Sequence, residues 1–307
     1  MSSIAILDLG TNTFHLLIAE IIAGTPSVLF QETIPVKLGE SGITKGHISH
    51  PAFDRGLKAM ESFQQSIEHY GVQQIRVVAT SALRTAFNGK DFLDKIRTRT
   101  GIIPEIITGE REAELIYHGV RAAINLGEEY SLIMDIGGGS VEFIICNSKH
   151  IFWKKSFDIG AARLMEKFHH SDPIAETDIE KLFEYLESTL FELKQKLGDY
   201  QPTVLIGSAG AFETYAQLIN LEFKTDFKKP EFRIDLIDFK RIAEIILKST
   251  HAQRSQNLGI IPLRVDMIVT ATLLTQYILQ LHNFKEMKLS TYSLKEGLLF
   301  EWIDLKK

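Results

Sequence analysis

The stretch Ser131-Leu132-Ile133-Met134-Asp135-Ile136-Gly137-Gly138-Gly139-Ser140-Val141-Glu142-Phe143-Ile144-Ile145-Cys146 decides how this chain is read. A short apolar run ends in an Asp, a turn of glycine and hydroxyl residues follows, and a second apolar run leads away. That is the pattern of a β-hairpin with a polar tip. Moved back by 127 residues, the pattern falls on Ile4-Ala5-Ile6-Leu7-Asp8-Leu9-Gly10-Thr11-Asn12-Thr13-Phe14-His15-Leu16-Leu17-Ile18-Ala19. One glycine-rich hairpin would be an ordinary turn. Two in the same pattern read as an internal repeat and predict paired domains.

The residue types at the tips set their chemistry. Gly10, Gly137, Gly138 and Gly139 are expected to take φ > 0, so that successive N–H groups approach one anion. Thr11, Thr13 and Ser140 add hydroxyl donors. Asp8 and Asp135 would repel a phosphate unless a hard divalent cation or a bound water stood between them. Two such tips facing each other would clamp one phosphate chain. Gly207-Ser208-Ala209-Gly210 is a third candidate. It lies between the strand-like Thr203-Val204-Leu205-Ile206 and a helical pattern over 211–219, and a glycine turn at a helix N-terminus makes an anion site.

Further out, residues 51–70 have helical spacing, with Phe53, Leu57, Met60 and Phe63 on one side. A strand over 74–80 ends in Thr80-Ser81-Ala82-Leu83-Arg84, which opens a second helix. The helix dipole does not favour a cation at that point, so Arg84 is expected to meet an anion. Another strand, 105–108, leads into Gly109-Glu110-Arg111-Glu112-Ala113-Glu114 and a helix through 120. Carboxylates in a first helical turn are favoured by the dipole whatever else they do, and one facing a cleft would make a general base. A single long charged helix is expected around 179–197. An apolar helix is expected to begin at Arg264-Val265-Asp266-Met267, and a last helix at Leu298. His169-His170 has no third ligand at metal spacing and receives no role.

Composition narrows the function classes. A chain of 307 residues suits two domains of roughly 150 residues each. Hydrophobic residues at 45% and no low-complexity tract exclude a disordered chain. No apolar run approaches the ~18 residues of a membrane span, and no signal-peptide pattern follows Met1, so the expectation is a cytoplasmic protein with no membrane partner. The single cysteine, Cys146, excludes an intrachain disulfide and a Cys-based metal site. A net charge of −5 argues against nucleic acid as a partner. It leaves room for a small or linear polyphosphate held by clustered N–H groups, a metal and a few basic side chains.

Taken together, these segments resemble the exopolyphosphatase and guanosine pentaphosphate phosphohydrolase (Ppx/GppA) family, a branch of the actin-like ATPase superfamily. The resemblance rests on Asp8-Leu9-Gly10-Thr11-Asn12-Thr13, on Ala79-Thr80-Ser81-Ala82-Leu83-Arg84 with Asn88, and on residues 109–119 and 135–142. It extends to Gly160-Ala161-Ala162-Arg163, Gly207-Ser208-Ala209-Gly210 and Leu294-Lys295-Glu296-Gly297.

The resemblance implies an α/β protein of two ribonuclease-H-like domains, each a mixed five-stranded sheet flanked by helices, with a cleft between them. Domain I would comprise residues 1–124 plus 298–307, and domain II residues 125–297. The implied activity is Mg2+-dependent release of the terminal phosphate of inorganic polyphosphate, or of guanosine pentaphosphate, with Mn2+ as the alternative metal and a homodimer as the assembly. Glu112 would be the base that activates water, beside Arg111 where the family's Gly-x-Glu-Glu-Ala has its first Glu. Arg84 would assist catalysis by stabilising charge on the phosphate. Asp8, Asp135 and Glu142 match metal-holding positions. Gly10, Thr11, Asn12, Thr13, Gly137, Gly138, Gly139 and Ser140 would contact phosphate, with Ser208 and Gly210 on the distal loop.

Two departures stand out. Ser293 occupies a position that is usually glycine, and the chain stops soon after Trp302, which implies the absence of the extra helical domain and extended channel of longer relatives. The competing readings are an ATP-binding kinase or ATPase of the same superfamily, and a non-enzymatic sensor of polyphosphate or guanosine alarmones.

Overall fold

Every residue of Ser131–Ile136 and of Val141–Cys146 is buried, so the decisive hairpin lies inside a sheet rather than on its edge. The structure, a computed structural model, describes residues 2–223 and 230–305. Residues 1 and 306–307 of the expected first domain, and 224–229 of the second, lie outside it.

The first lobe contains β1 (Ser2–Leu9), β2 (Thr13–Ile22), β3 (Thr25–Pro35), α1 (His50–His69), β4 (Gln74–Ala79), α2 (Ser81–Thr85), α3 (Gly89–Thr100), β5 (Glu105–Ile106) and α4 (Gly109–Ala123). The second begins with β6 (Ser131–Ile136), β7 (Val141–Cys146), β8 (Ile151–Phe157), α5 (Ala161–Phe168), α6 (Glu176–Thr189), α7 (Phe191–Tyr200) and β9 (Val204–Ser208). It continues through α8 (Gly210–Phe223), β10 (Glu231–Ile234), α9 (Leu236–Lys248), α10 (His251–Gln256), α11 (Ile268–Leu281) and β11 (Glu286–Ser290). The last element is α12 (Leu294–Asp304).

The repeat seen in the sequence is a repeat of topology. The first sheet has the order β3-β2-β1-β4-β5, and β8-β7-β6-β9-β11 reproduces it in the second. Asp8 pairs with His15 across the first hairpin, and Asp135 with Glu142 across the second. On the parallel side Asp8 faces Val78 and Asp135 faces Ser208. The expected mixed sheets flanked by helices are present. The second sheet, however, has six strands rather than five, because β10 adds antiparallel to β11, with Glu231 opposite Ser290.

The apolar faces explain why the two hairpin tips meet. One core lies on the far side of the first sheet, under α1 and α3, and a second on the far side of the second sheet. A third is shared: Ile4, Ile6 and Leu17 of one sheet and Ile133, Ile144 and Ile206 of the other pack around Leu115 and Val120 of α4 and Leu298 and Trp302 of α12. Burying both inner faces on one helix pair brings the two repeats face to face.

Several elements differ from the sequence reading. The single charged helix is two, because the chain leaves helical geometry at the buried Leu190. The last helix starts at Leu294, four residues early, because Ser293 and Glu296 form a reciprocal capping box. Residues 264–267 turn before α11 instead of beginning it. The strand expected over 105–108 is two residues long, and α2 spans only five, so Arg84 lies near its end.

Candidate active site

The turns carry their phosphate chemistry in an unexpected way. Gly10, Gly137, Gly138 and Gly139 all have ordinary φ, so the expectation of left-handed backbone there is wrong. Space is the reason for glycine in the second turn. A Cβ on Gly138 would lie 2.2 Å from Asn12 Nδ2, and one on Gly139 would lie 2.6 Å from both Thr11 Oγ1 and Ser81 Oγ.

Carbonyl groups of both turns are taken by backbone N–H donors of their own lobes. The N–H groups of Ala161, Ala162 and Gly160, at the start of α5, donate to Gly137, Gly138 and Gly139 O at 2.9, 3.0 and 3.2 Å. In the first lobe Val36 and Lys37 N–H both donate to Asn12 O at 2.9 Å, and Gly39 N–H donates to Thr11 O. Among the described residues no protein group accepts from the N–H of Thr11, Asn12, Gly138, Gly139 or Ser140.

The tips enclose a cavity of about 360 Å³. Its wall includes Asp8, Gly10, Thr11, Asn12 and Thr13 from one hairpin and Asp135, Gly137, Gly138, Gly139 and Ser140 from the other. Glu112 and Gly210 complete the predicted set. Arg84, Ser208 and Glu142 stand one layer behind. Arg84 Nη1 donates to Glu112 Oε2 and to Ile107 O, both at 3.0 Å, so the anion it meets in this state is Glu112. The Ser208 hydroxyl donates to Asp135 Oδ2. Glu142 accepts from Ser156 Oγ at 2.7 Å. Asn88, quoted in the motif, serves the backbone: its amide bonds both the N–H and the C=O of Ile48.

Residues with no predicted role also line the cavity. The Ser293 hydroxyl donates to Asp135 Oδ2 at 2.5 Å, so the departure from glycine adds a donor to that carboxylate. Lys295 is paired with Glu296 at 2.9 Å. Arg264 lies flat on Gly210, where a Cβ would fall 1.3 Å from its Cζ. Lys295 belongs to the Leu294-Lys295-Glu296-Gly297 motif and Ser293 directly precedes it, so both carried a readable signal. Arg264 sits in a turn with no local pattern to mark it.

Burial dominates the electrostatics. Burial, reinforced by Glu112, raises the Asp8 pKa to about 8 despite Lys295. Burial raises Glu112 to about 7, against the pull of Arg84. Burial also raises Asp135, opposed by its two serine donors, and raises Glu142, which Glu112 pushes further in the same direction. Burial lowers Arg264, and burial with Lys295 and Arg264 drives His15 down to about 3, leaving it neutral. For Lys295 burial works against the charge, but Glu296, Glu213 and Asp8 outweigh it and raise the pKa. The site thus holds more carboxylate than its cations neutralise.

Among the described residues, four buried side-chain polar atoms lack a hydrogen-bond partner, and three of them belong to this cavity: Asp8 Oδ1, Ser81 Oγ and Arg264 Nε. An unpartnered acceptor beside unpartnered donors fits a ligand carrying both a cation and anionic oxygens. No three His, Cys, Asp or Glu side chains among the described residues converge to cage a metal alone. That donor set suits a hard cation held by one or two carboxylates and completed by phosphate oxygens and water.

A family profile described as the Ppx/GppA phosphatase family matches residues 17–306. The chain belongs to that family. The crystal structure of an exopolyphosphatase from Cytophaga hutchinsonii is similar at TM-score 0.96 and 40% identity, over 99% of this chain and 98% of that one. The Ppx/GppA protein of Aquifex aeolicus shares the fold at TM-score 0.82 and 23% identity, over 100% and 99%. As a Ppx/GppA phosphatase the chain is a phosphoanhydride hydrolase. Among the described residues no helix is long and apolar enough to cross a membrane.

Proposed function

We propose that this Ppx/GppA phosphatase is an exopolyphosphatase that releases the terminal phosphate of inorganic polyphosphate by attack of a water molecule activated by Glu112. The observation that carries the reading is the cavity between the two hairpin tips, with its unpartnered Asp8, Ser81 and Arg264 atoms and a Glu112 pKa of about 7. A base with that pKa is half ionised near neutral pH, where it both accepts a proton and exists in usable amount.

The N–H groups of Thr11, Asn12, Gly138, Gly139 and Ser140 bind the phosphate oxygens, with Arg264 and Lys295 supplying positive charge. Glu112 takes the proton of the attacking water. The new P–O bond forms as the bond to the bridging oxygen breaks, and the shortened chain leaves with the electron pair. Arg84, bonded to Glu112, keeps that carboxylate ionisable and orients it. Asp8, with Asp135 close by, would hold Mg2+ or Mn2+, which when bound would neutralise the phosphate and carboxylate charge.

The test is phosphate release from short polyphosphate, long polyphosphate and guanosine pentaphosphate, each with Mg2+, with Mn2+ and with a chelator. Metal-dependent release from either polyphosphate is the expected result. Release from guanosine pentaphosphate alone would move the substrate to the nucleotide. Binding without release from any of the three would make the protein a sensor and remove the catalytic role of Glu112.

A further inference from the structure

Arg163 belongs to the Gly160-Ala161-Ala162-Arg163 segment, and the chemistry above gives it no task. Its guanidinium makes three hydrogen bonds in three directions. Nε donates to Gly139 O at 2.9 Å, within its own lobe. Nη1 donates to Ile43 O and Nη2 to Thr85 Oγ1, each at 3.0 Å, and both acceptors belong to the first lobe. Gly139 is part of the phosphate turn, and Thr85 is the neighbour of Arg84, which holds Glu112. One side chain therefore touches the phosphate turn of one lobe and the support of the base in the other.

Other contacts also cross the cleft, but they differ in kind. Lys37 and Asp266 pair at 3.2 Å with side chains 37% and 34% exposed, where water and salt weaken an ion pair. The Arg163 side chain is 16% exposed, and its cross-cleft acceptors are a carbonyl and a hydroxyl. A planar guanidinium with donors fixed in direction satisfies both acceptors only at one lobe angle. Opening the cleft leaves two donors and two acceptors without partners.

We infer that Arg163 is a positioning residue: a clasp that sets the closed angle of the two lobes and, through Gly139, ties that angle to the shape of the phosphate turn. Loss of the cross-cleft bonds lowers the fraction of molecules in the closed state and removes no group that meets substrate. Apparent affinity falls by that fraction, and saturating substrate restores closure. Two cross-cleft hydrogen bonds set the scale of the effect at about tenfold.

The variants are Arg163→Lys, which keeps the charge but cannot reach three acceptors, and Thr85→Val, which removes one cross-cleft acceptor, together with a hydroxyl donation to Ser81 O inside α2, and leaves Arg163 in place. Spin labels on cysteines replacing the exposed Lys58 and Glu184 report the distance between lobes, and the native Cys146 is buried. Without ligand, both variants should give longer and broader distances than the parent, at 0.05 M and 0.5 M salt alike. In polyphosphate hydrolysis both should raise KM by up to about tenfold and leave kcat within about twofold.

Unchanged distances in both variants would overturn the clasp. So would a fall in kcat at constant KM, which would place Arg163 in the chemistry. The kinetic measurement rests on the exopolyphosphatase reading. The distance measurement needs no turnover, so a protein that hydrolyses nothing still decides whether the clasp exists.

Discussion

The two hairpins have the same backbone and opposite states of satisfaction. At the first tip Asp8 faces His15, which is neutral, and its Oδ1 has no partner. At the second, Asp135 faces Glu142, and its Oδ2 accepts from Ser208 and Ser293. A duplication has supplied two equivalent frames, and the side chains have made one an open acceptor and the other a fixed wall. Glu112 belongs to neither. It comes from α4, between the lobes, where burial and Asp135 raise its pKa and Arg84 opposes them.

If the division of labour is right, removing the base should have the largest effect. Glu112→Gln should reduce kcat by about 10²-fold or more and leave binding of a non-hydrolysable imidodiphosphate chain within about threefold. A loss of activity matched by a loss of binding would mean that Glu112 holds substrate as the hairpins do. Parent enzyme should lose kcat/KM as pH falls below about 7, because protonated Glu112 cannot accept the water proton. Raising the metal concentration should shift that limb to lower pH, since a nearby cation favours the ionised base. A limb insensitive to Glu112→Asp would assign it to another group.

The next effect separates the two aspartates. The Asp8 pKa is near 8 in the fold and 3.8 ordinarily, so its contribution to stability is present below about pH 4 and is lost as pH rises through about 8. Asp8→Asn should abolish the metal-dependent activity, and in metal-free protein it should increase stability, with a gain that grows over this interval and levels off above it. Asp135→Asn should gain less, because two hydroxyls already support that charge. Urea unfolding from pH 4 to 9 measures both, and equal gains would erase the distinction between the hairpins. The smallest effect concerns the wall itself. Ser293→Ala removes a donor to Asp135 and the cap of α12 and should cost about 1 kcal/mol, whereas Ser293→Gly, which loses the same donor but keeps a tolerated N-cap, should cost less.

What was legible in the sequence follows the same division. The hairpins and the cavity-lining turn residues could be read because each is written in consecutive residues and written twice. Strand β10 could not: four residues on an edge, with Ile234 the one fully buried among them, carry too little pattern. The break at Leu190 was hidden because the apolar spacing continues through it. Glycine at the tips was read as a need for φ > 0, while the actual need is room for the opposite tip, which only the packing of two lobes creates. Arg264, Ser81 and Arg163 became visible as site groups by the same route, since each acquires its partners, or lacks them, from residues far along the chain.

The position of α12 has a consequence for how the molecule comes into being. Lys295 and Ser293 complete a site that begins at Asp8 in the first strand, and Trp302 and Leu298 fill the core against which that strand packs. The site is therefore complete only when the first strand and α12 are both docked, because each supplies part of the cavity and part of the core behind it.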